Sequence, residues 1–177
     1  MTDEPGGTVP HPAAVGERTH HDTPEAILFG GVYGAVLASS MVAALSQYGY
    51  TSPARRGYDA VWVLVTALAS ALAHGYAHYI AERAPHRRWD VLRTLAEEWP
   101  LVAAVLPTVV VLAGAYWGWW SAEGVEYPAF VMNIVLLFGL GVVTSRRSGR
   151  GWGVAGLIGT ADALFGVVVV LVNALIK

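Results

Sequence analysis

The sequence predicts an all-α integral membrane protein with five transmembrane helices and one short interfacial helix between the second and third. Three observations carry this. The chain of 177 residues is 55% hydrophobic and only 14% charged, with a mean hydropathy of +0.48, whereas an ordinary soluble domain carries about a quarter charged residues. Five apolar runs are each close to the roughly 18–25 residues that a helix needs to cross hydrocarbon. Backbone polar groups in hydrocarbon must pair within their own segment, which makes helix the default.

Residues 1–24, MTDEPGGTVPHPAAVGERTHHDTP, are rich in Pro, Gly, Thr and His and offer almost nothing large to bury. They predict a disordered tail, because the entropy of ordering them is not offset. The tail lacks the basic start and short apolar core of a secretory signal, so the first run is expected to be a retained span. The transmembrane domain is expected over 25–177, with spans at about 26–47, 59–82, 99–120, 128–145 and 152–176. The fourth is the shortest and only just long enough. The breaks between them, GYTSPARRGYD, an arginine-rich stretch, SAEGVEYP and SRRSGRGW, carry turn residues and charge.

Positive charge sets the expected orientation, since Lys and Arg beside a span resist translocation. The tail, second loop and fourth loop hold eight arginines, and the other side holds only Arg55, Arg56 and Lys177. The N-terminus is therefore expected in the cytoplasm and the C-terminus on the opposite side. In the second loop, PHRRWDVLRTLAEEWP spaces Trp89, Leu92, Leu95 and Trp99 at three and four residues. That is an apolar stripe on a short helix lying along the headgroups. Tyr116, Trp117, Trp119 and Trp120 suit the same interface.

Composition excludes several functions. With no cysteine the chain has no disulfide, thiolate metal site, iron–sulfur cluster or cysteine nucleophile. A net charge of −2 gives no basic footprint for nucleic acid. No phosphate loop, nucleophile elbow or H-E-x-x-H pattern is present, so no enzymatic activity is expected.

The chemistry-bearing residues lie in the spans. His74, His78 and Glu82 are four residues apart in ALAHGYAHYIAERA and share a helix face as a ladder running toward the cytoplasm. Imidazoles bind first-row metals and titrate near neutral pH, which points to metal handling or proton relay. A structural role, bonding a neighbouring helix, is the competing reading. Asp162 falls near the middle of the fifth span, where an ionised carboxylate is costly without a partner. It predicts a cation or proton site facing the bundle interior, partnered by a histidine, Asn133, a hydroxyl or a bound cation. The bland alternative is a protonated acid bonded to Thr160. The metal set expected from these residues is His74, His78 and Asp162.

Glu97 and Glu98 precede Pro100 and complement the dipole at the start of the third helix. Together with Glu82 they also form an acidic cytoplasmic entrance. Pro107 is expected to kink that helix, and Asp59 to cap the second. Gly30, Gly34 and Ala38 in the first span, and Ala155, Gly159 and Ala163 in the fifth, repeat every four positions and predict close helix packing.

The layout resembles the vacuolar iron transporter family. ILFGGVYGAVLASS is similar to that family's first-helix pattern of a glycine, an Asn-Asp pair and a second glycine. HYIAER, 78–83, resembles its Glu-Tyr-Val-Ser-x-Arg ending of the second helix, and LFGLGVVTSRRSGRGWGVAGLIG its last two helices. The resemblance covers most of the chain after the tail and implies five spans, metal transport and a homodimer. Val32 and Tyr33 replace the family's first-helix aspartate, His78 stands where glutamate is usual, and the family's metal-binding helical region is shortened to 84–99. Two functions follow as expectations: a proton-coupled transporter of a divalent metal ion, needing no bound cofactor and having the lipid bilayer as its surroundings, or a noncatalytic membrane scaffold whose polar residues only pack helices.

Overall fold

A computed structural model describes residues 24–47, 49, 51–81 and 97–175. Five helices make up this part of the chain: α1 Pro24–Ser46, α2 Pro53–Ala81, α3 Trp99–Tyr116, α4 Glu126–Arg147 and α5 Trp152–Leu175. All five are long and apolar enough to cross a membrane, and no strand occurs among the described residues. The described part of the chain is thus all-helical, and its five helices are compatible with a multi-pass membrane protein. The 1–24 tail lies outside the described residues except for Pro24. The interfacial helix expected over PHRRWDVLRTLAEEWP lies outside them up to residue 96, and its last stripe residue, Trp99, is instead the first residue of α3.

Helix ends follow local chemistry more than hydropathy. Helix α2 starts six residues before the apolar run does, because Ser52 Oγ accepts the Arg55 amide at 3.2 Å and Pro53 occupies the first helical position. Asp59 is therefore not a cap but an interior residue, a turn and a half along. Helix α3 stops at Tyr116 and not at residue 120. Gly118 takes a left-handed φ of 77°, and the Trp119 and Gly118 amides donate back to Gly114 O and Ala115 O, the pairing that closes a helix on a glycine. Trp120 then folds onto the bare Gly114 and donates Nε1 to Val111 O at 3.0 Å. Gly149 ends α4 in the same way, with the Arg150 amide bonded to Ser145 O. Helix α4 has 22 residues, about 33 Å, so the fourth span is not the marginal one.

Helices consecutive in the chain run antiparallel, whereas α1 and α3 pack side by side in the same direction. The start of α1 meets the end of α2 and the start of α3, and α1 touches all four other helices. Helix α2 packs on α3 and α1, whereas α5 packs on α4 and α1. Small residues make the seams. A Cβ on Gly34 would strike Leu101 O and one on Gly30 would meet Leu101 N at 3.0 Å, so both lie against α3. Ala38 is fully buried, and Gly159 rests on Phe138 and Val142 of α4. Ala38, Val63, Leu101, Val105 and Leu112 form the apolar core between α1, α2 and α3.

Candidate metal centre

One end of the bundle gathers the start of α1, the end of α2, the start of α3 and the Arg146–Arg147 end of α4. His74 and His78 project from α2 and Glu98 from the residue before α3, and one ligand atom from each lies within 4.8 Å of the others. His78 Nε2 is 3.9 Å from Glu98 Oε1. The helical repeat explains the histidine pair: four residues advance about 6 Å along the axis on one face, and the ring centroids are 6.5 Å apart. Phe29 and Tyr33 of α1 pack at steep angles on the His74 ring, with centroids at 5.8 and 5.1 Å. His78 is 59% exposed and Glu98 only 13%.

Glu98 sits at the N-cap position of α3 but makes no side-chain cap hydrogen bond. Pro100 occupies the first turn, where a missing N–H costs nothing. The Glu98 carboxylate is thus turned to the histidines instead of to its own helix. Glu97, one residue earlier, is exposed. Glu82 lies outside the described residues.

Asp162 is not part of this cluster. No hydrogen bond or ion pair joins it to His74, His78 or Asn133. Its half-buried carboxylate lies in the α4–α5 seam, where a Cβ on Gly141 would strike its Oδ2. The structure brings His74 and His78 together with Glu98 and not with Asp162, whose helix packs on α4 and α1. The other expected partners are also engaged elsewhere: Thr160 Oγ1 donates to Gly156 O at 2.8 Å, and Asn133 Oδ1 accepts from Thr108 Oγ1 at 2.9 Å in the bundle core. Helix α3 runs unbroken through Pro107, beside that buried pair.

The opposite end holds a polar cluster that sequence reasoning missed. Arg56, 3% exposed, donates Nε to Ala122 O at 3.0 Å, Nη2 to Glu126 Oε2 at 2.8 Å and Nη1 to Asp59 Oδ2 at 3.4 Å. It ties α2 to the α3–α4 connection and to the start of α4. The Arg56 and Asp59 spacing of three on a helix was the available signal. Glu126 lies 70 positions away. Nearby, an open apolar groove of about 510 Å³ between α2 and α3 is lined by Tyr58, Leu64, Val109, Ala113, Tyr116 and Trp117.

No family model, curated protein or solved structure matches the chain.

Proposed function

We propose that the chain is a multi-pass membrane protein that carries a divalent metal cation coupled to protons, with a fold of the vacuolar iron transporter kind and a homodimeric assembly. The observation that carries this reading is the convergence of two imidazoles of α2 and the carboxylate that precedes α3 at one end of five membrane-length helices. Nitrogen and carboxylate donors on a partly exposed rim suit a cation that is collected and released. In this reading the rim is cytoplasmic, as the arginine bias predicts. Glu82 and Glu97 draw cations to it, and Asp162 is the polar point within the bundle that the cation or a coupled proton reaches next.

Two measurements test it. Tags at the two termini are expected to be accessible from opposite faces of the membrane, the N-terminal one from the cytoplasm. A C-terminal tag on the cytoplasmic face contradicts the arrangement. In proteoliposomes reporting divalent metal flux, the combined Asp162→Asn and His78→Ala variant is expected to lose transport. Undiminished flux rejects the mechanism.

The separation of Asp162 from the imidazoles favours a second reading, a noncatalytic scaffold in which these groups only pack helices. Under that reading Asp162→Leu retains both folding and partner binding.

A further inference from the structure

We infer that His74, His78 and Glu98 select a late first-row divalent ion of the Co2+, Ni2+ and Zn2+ class over Mg2+ and Ca2+, and that the bound ion staples the end of α2 to the start of α3. The inference rests on the reading above and deepens it by naming the class of cargo.

Donor chemistry sets the class. Mg2+ and Ca2+ require six or more oxygen donors, and this site offers two ring nitrogens with one carboxylate. Imidazole with carboxylate suits the borderline metals. A chain without cysteine supplies no thiolate that would favour Cu(I) or an iron–sulfur cluster.

The geometry is close to what such an ion needs. At metal–ligand bonds of about 2.1 Å, two donors on one tetrahedral ion stand roughly 3.4 Å apart. His78 Nε2 and Glu98 Oε1 are 3.9 Å apart, and no donor pair exceeds 4.8 Å. Side-chain rotation closes that gap. His78 is 59% exposed and free to turn, and Glu98 has no capping bond to give up. The His74 ring is the fixed member, held by Phe29 and Tyr33. Three protein donors leave a coordination position open for water or the next ligand along the path, and one carboxylate cancels only half of the ion's charge. Both features favour exchange over permanent retention. Because His74 and His78 belong to α2 and Glu98 to the start of α3, an ion on all three cross-links the two helices.

The test uses the full chain in nanodiscs and Co2+ as the probe, read by its visible absorption. His11, His20, His21 and His86 are replaced by alanine throughout, so that His74 and His78 are the imidazoles left. The inference expects one Co2+ per chain, a spectrum unchanged by excess Mg2+ or Ca2+, and a raised thermal midpoint. Substituting both H74A and H78A is expected to weaken Co2+ binding by about a hundredfold or more, beyond the loss usual for an outer-shell change. E98Q is expected to weaken it less and to abolish the rise in midpoint. Displacement of Co2+ by Mg2+, or an unchanged spectrum in the double variant with helicity preserved, overturns the inference. Selective Co2+ binding without metal flux leaves it standing and rejects the transport reading instead.

Discussion

Arg56→Met is expected to destabilise the folded chain by about 3–5 kcal/mol, the cost of breaking a buried ion pair from one side. Arg56 serves three acceptors at once: Ala122 O, Asp59 Oδ2 and Glu126 Oε2. With the guanidinium gone, Asp59 stays 2% exposed, its Oδ1 without a hydrogen bond and only the exposed Arg55 nearby, with Nε at 3.4 Å. Surface partners of that kind are worth about 0–1 kcal/mol, too little to hold a buried carboxylate. Arg56→Lys is expected to fall between, because a point charge cannot reach three divergent acceptors. Removing all the charges together, as in Arg56→Met with Asp59→Leu and Glu126→Gln, is expected to recover most of the loss. Reversible unfolding in mixed micelles reads the series. A single Arg56→Met variant as stable as the parent shows that the cluster does not hold α2 to α4.

The contrast between this clamp and the histidine site shows what a one-dimensional pattern carries. Five helices were legible because each needs only its own run of apolar residues, a local property. Their ends were less so. Arg55, Arg56 and Asp59 look like loop residues by charge, yet they extend α2 by six positions because a guanidinium with three acceptors makes burial tolerable. Trp117 to Trp120 look like a continuation of α3 by hydropathy, but Gly118 with positive φ turns the chain and sends Trp120 back onto Gly114.

The site was half legible for a related reason. The pairing of His74 with His78 follows from helical periodicity alone, so it needs no knowledge of neighbours. Their third partner depends on which helix stands beside α2. Asp162 was the more conspicuous acid, since it stands within an apolar run, but its helix packs on α4 and α1. Glu98 has the position of an ordinary capping residue. Only the approach of α3 to α2, with its carboxylate unused by the cap, turns it into a donor.

Gly34→Ala is expected to weaken Co2+ binding at the histidine site about tenfold, although Gly34 donates nothing to it. An added methyl would strike Leu101 O and stand 2.9 Å from Ala104 Cβ. A backbone oxygen in a helix cannot step aside alone, so α3 must move off α1 or rotate, at a cost of about 1–3 kcal/mol for overpacking. The site feels both halves of that seam. Tyr33, next to Gly34, packs on His74, and Glu98 lies three residues before Leu101. Separating α1 from α3 therefore shifts the carboxylate relative to the imidazoles by a distance that matters for coordination. Gly30→Ala makes a graded comparison, because its nearest contacts, Leu101 N at 3.0 Å and Pro100 Cβ at 3.1 Å, require only a small adjustment. Gly139 and Gly156 are the controls: an added Cβ meets nothing within 4 Å at either, and alanine in a helix interior is favoured over glycine by about 0.5–1 kcal/mol. Lost Co2+ affinity in a Gly34→Ala variant that keeps its helical fold assigns the seam to the geometry of the site. Equal effects at Gly34 and Gly139 remove any special role for the α1–α3 contact.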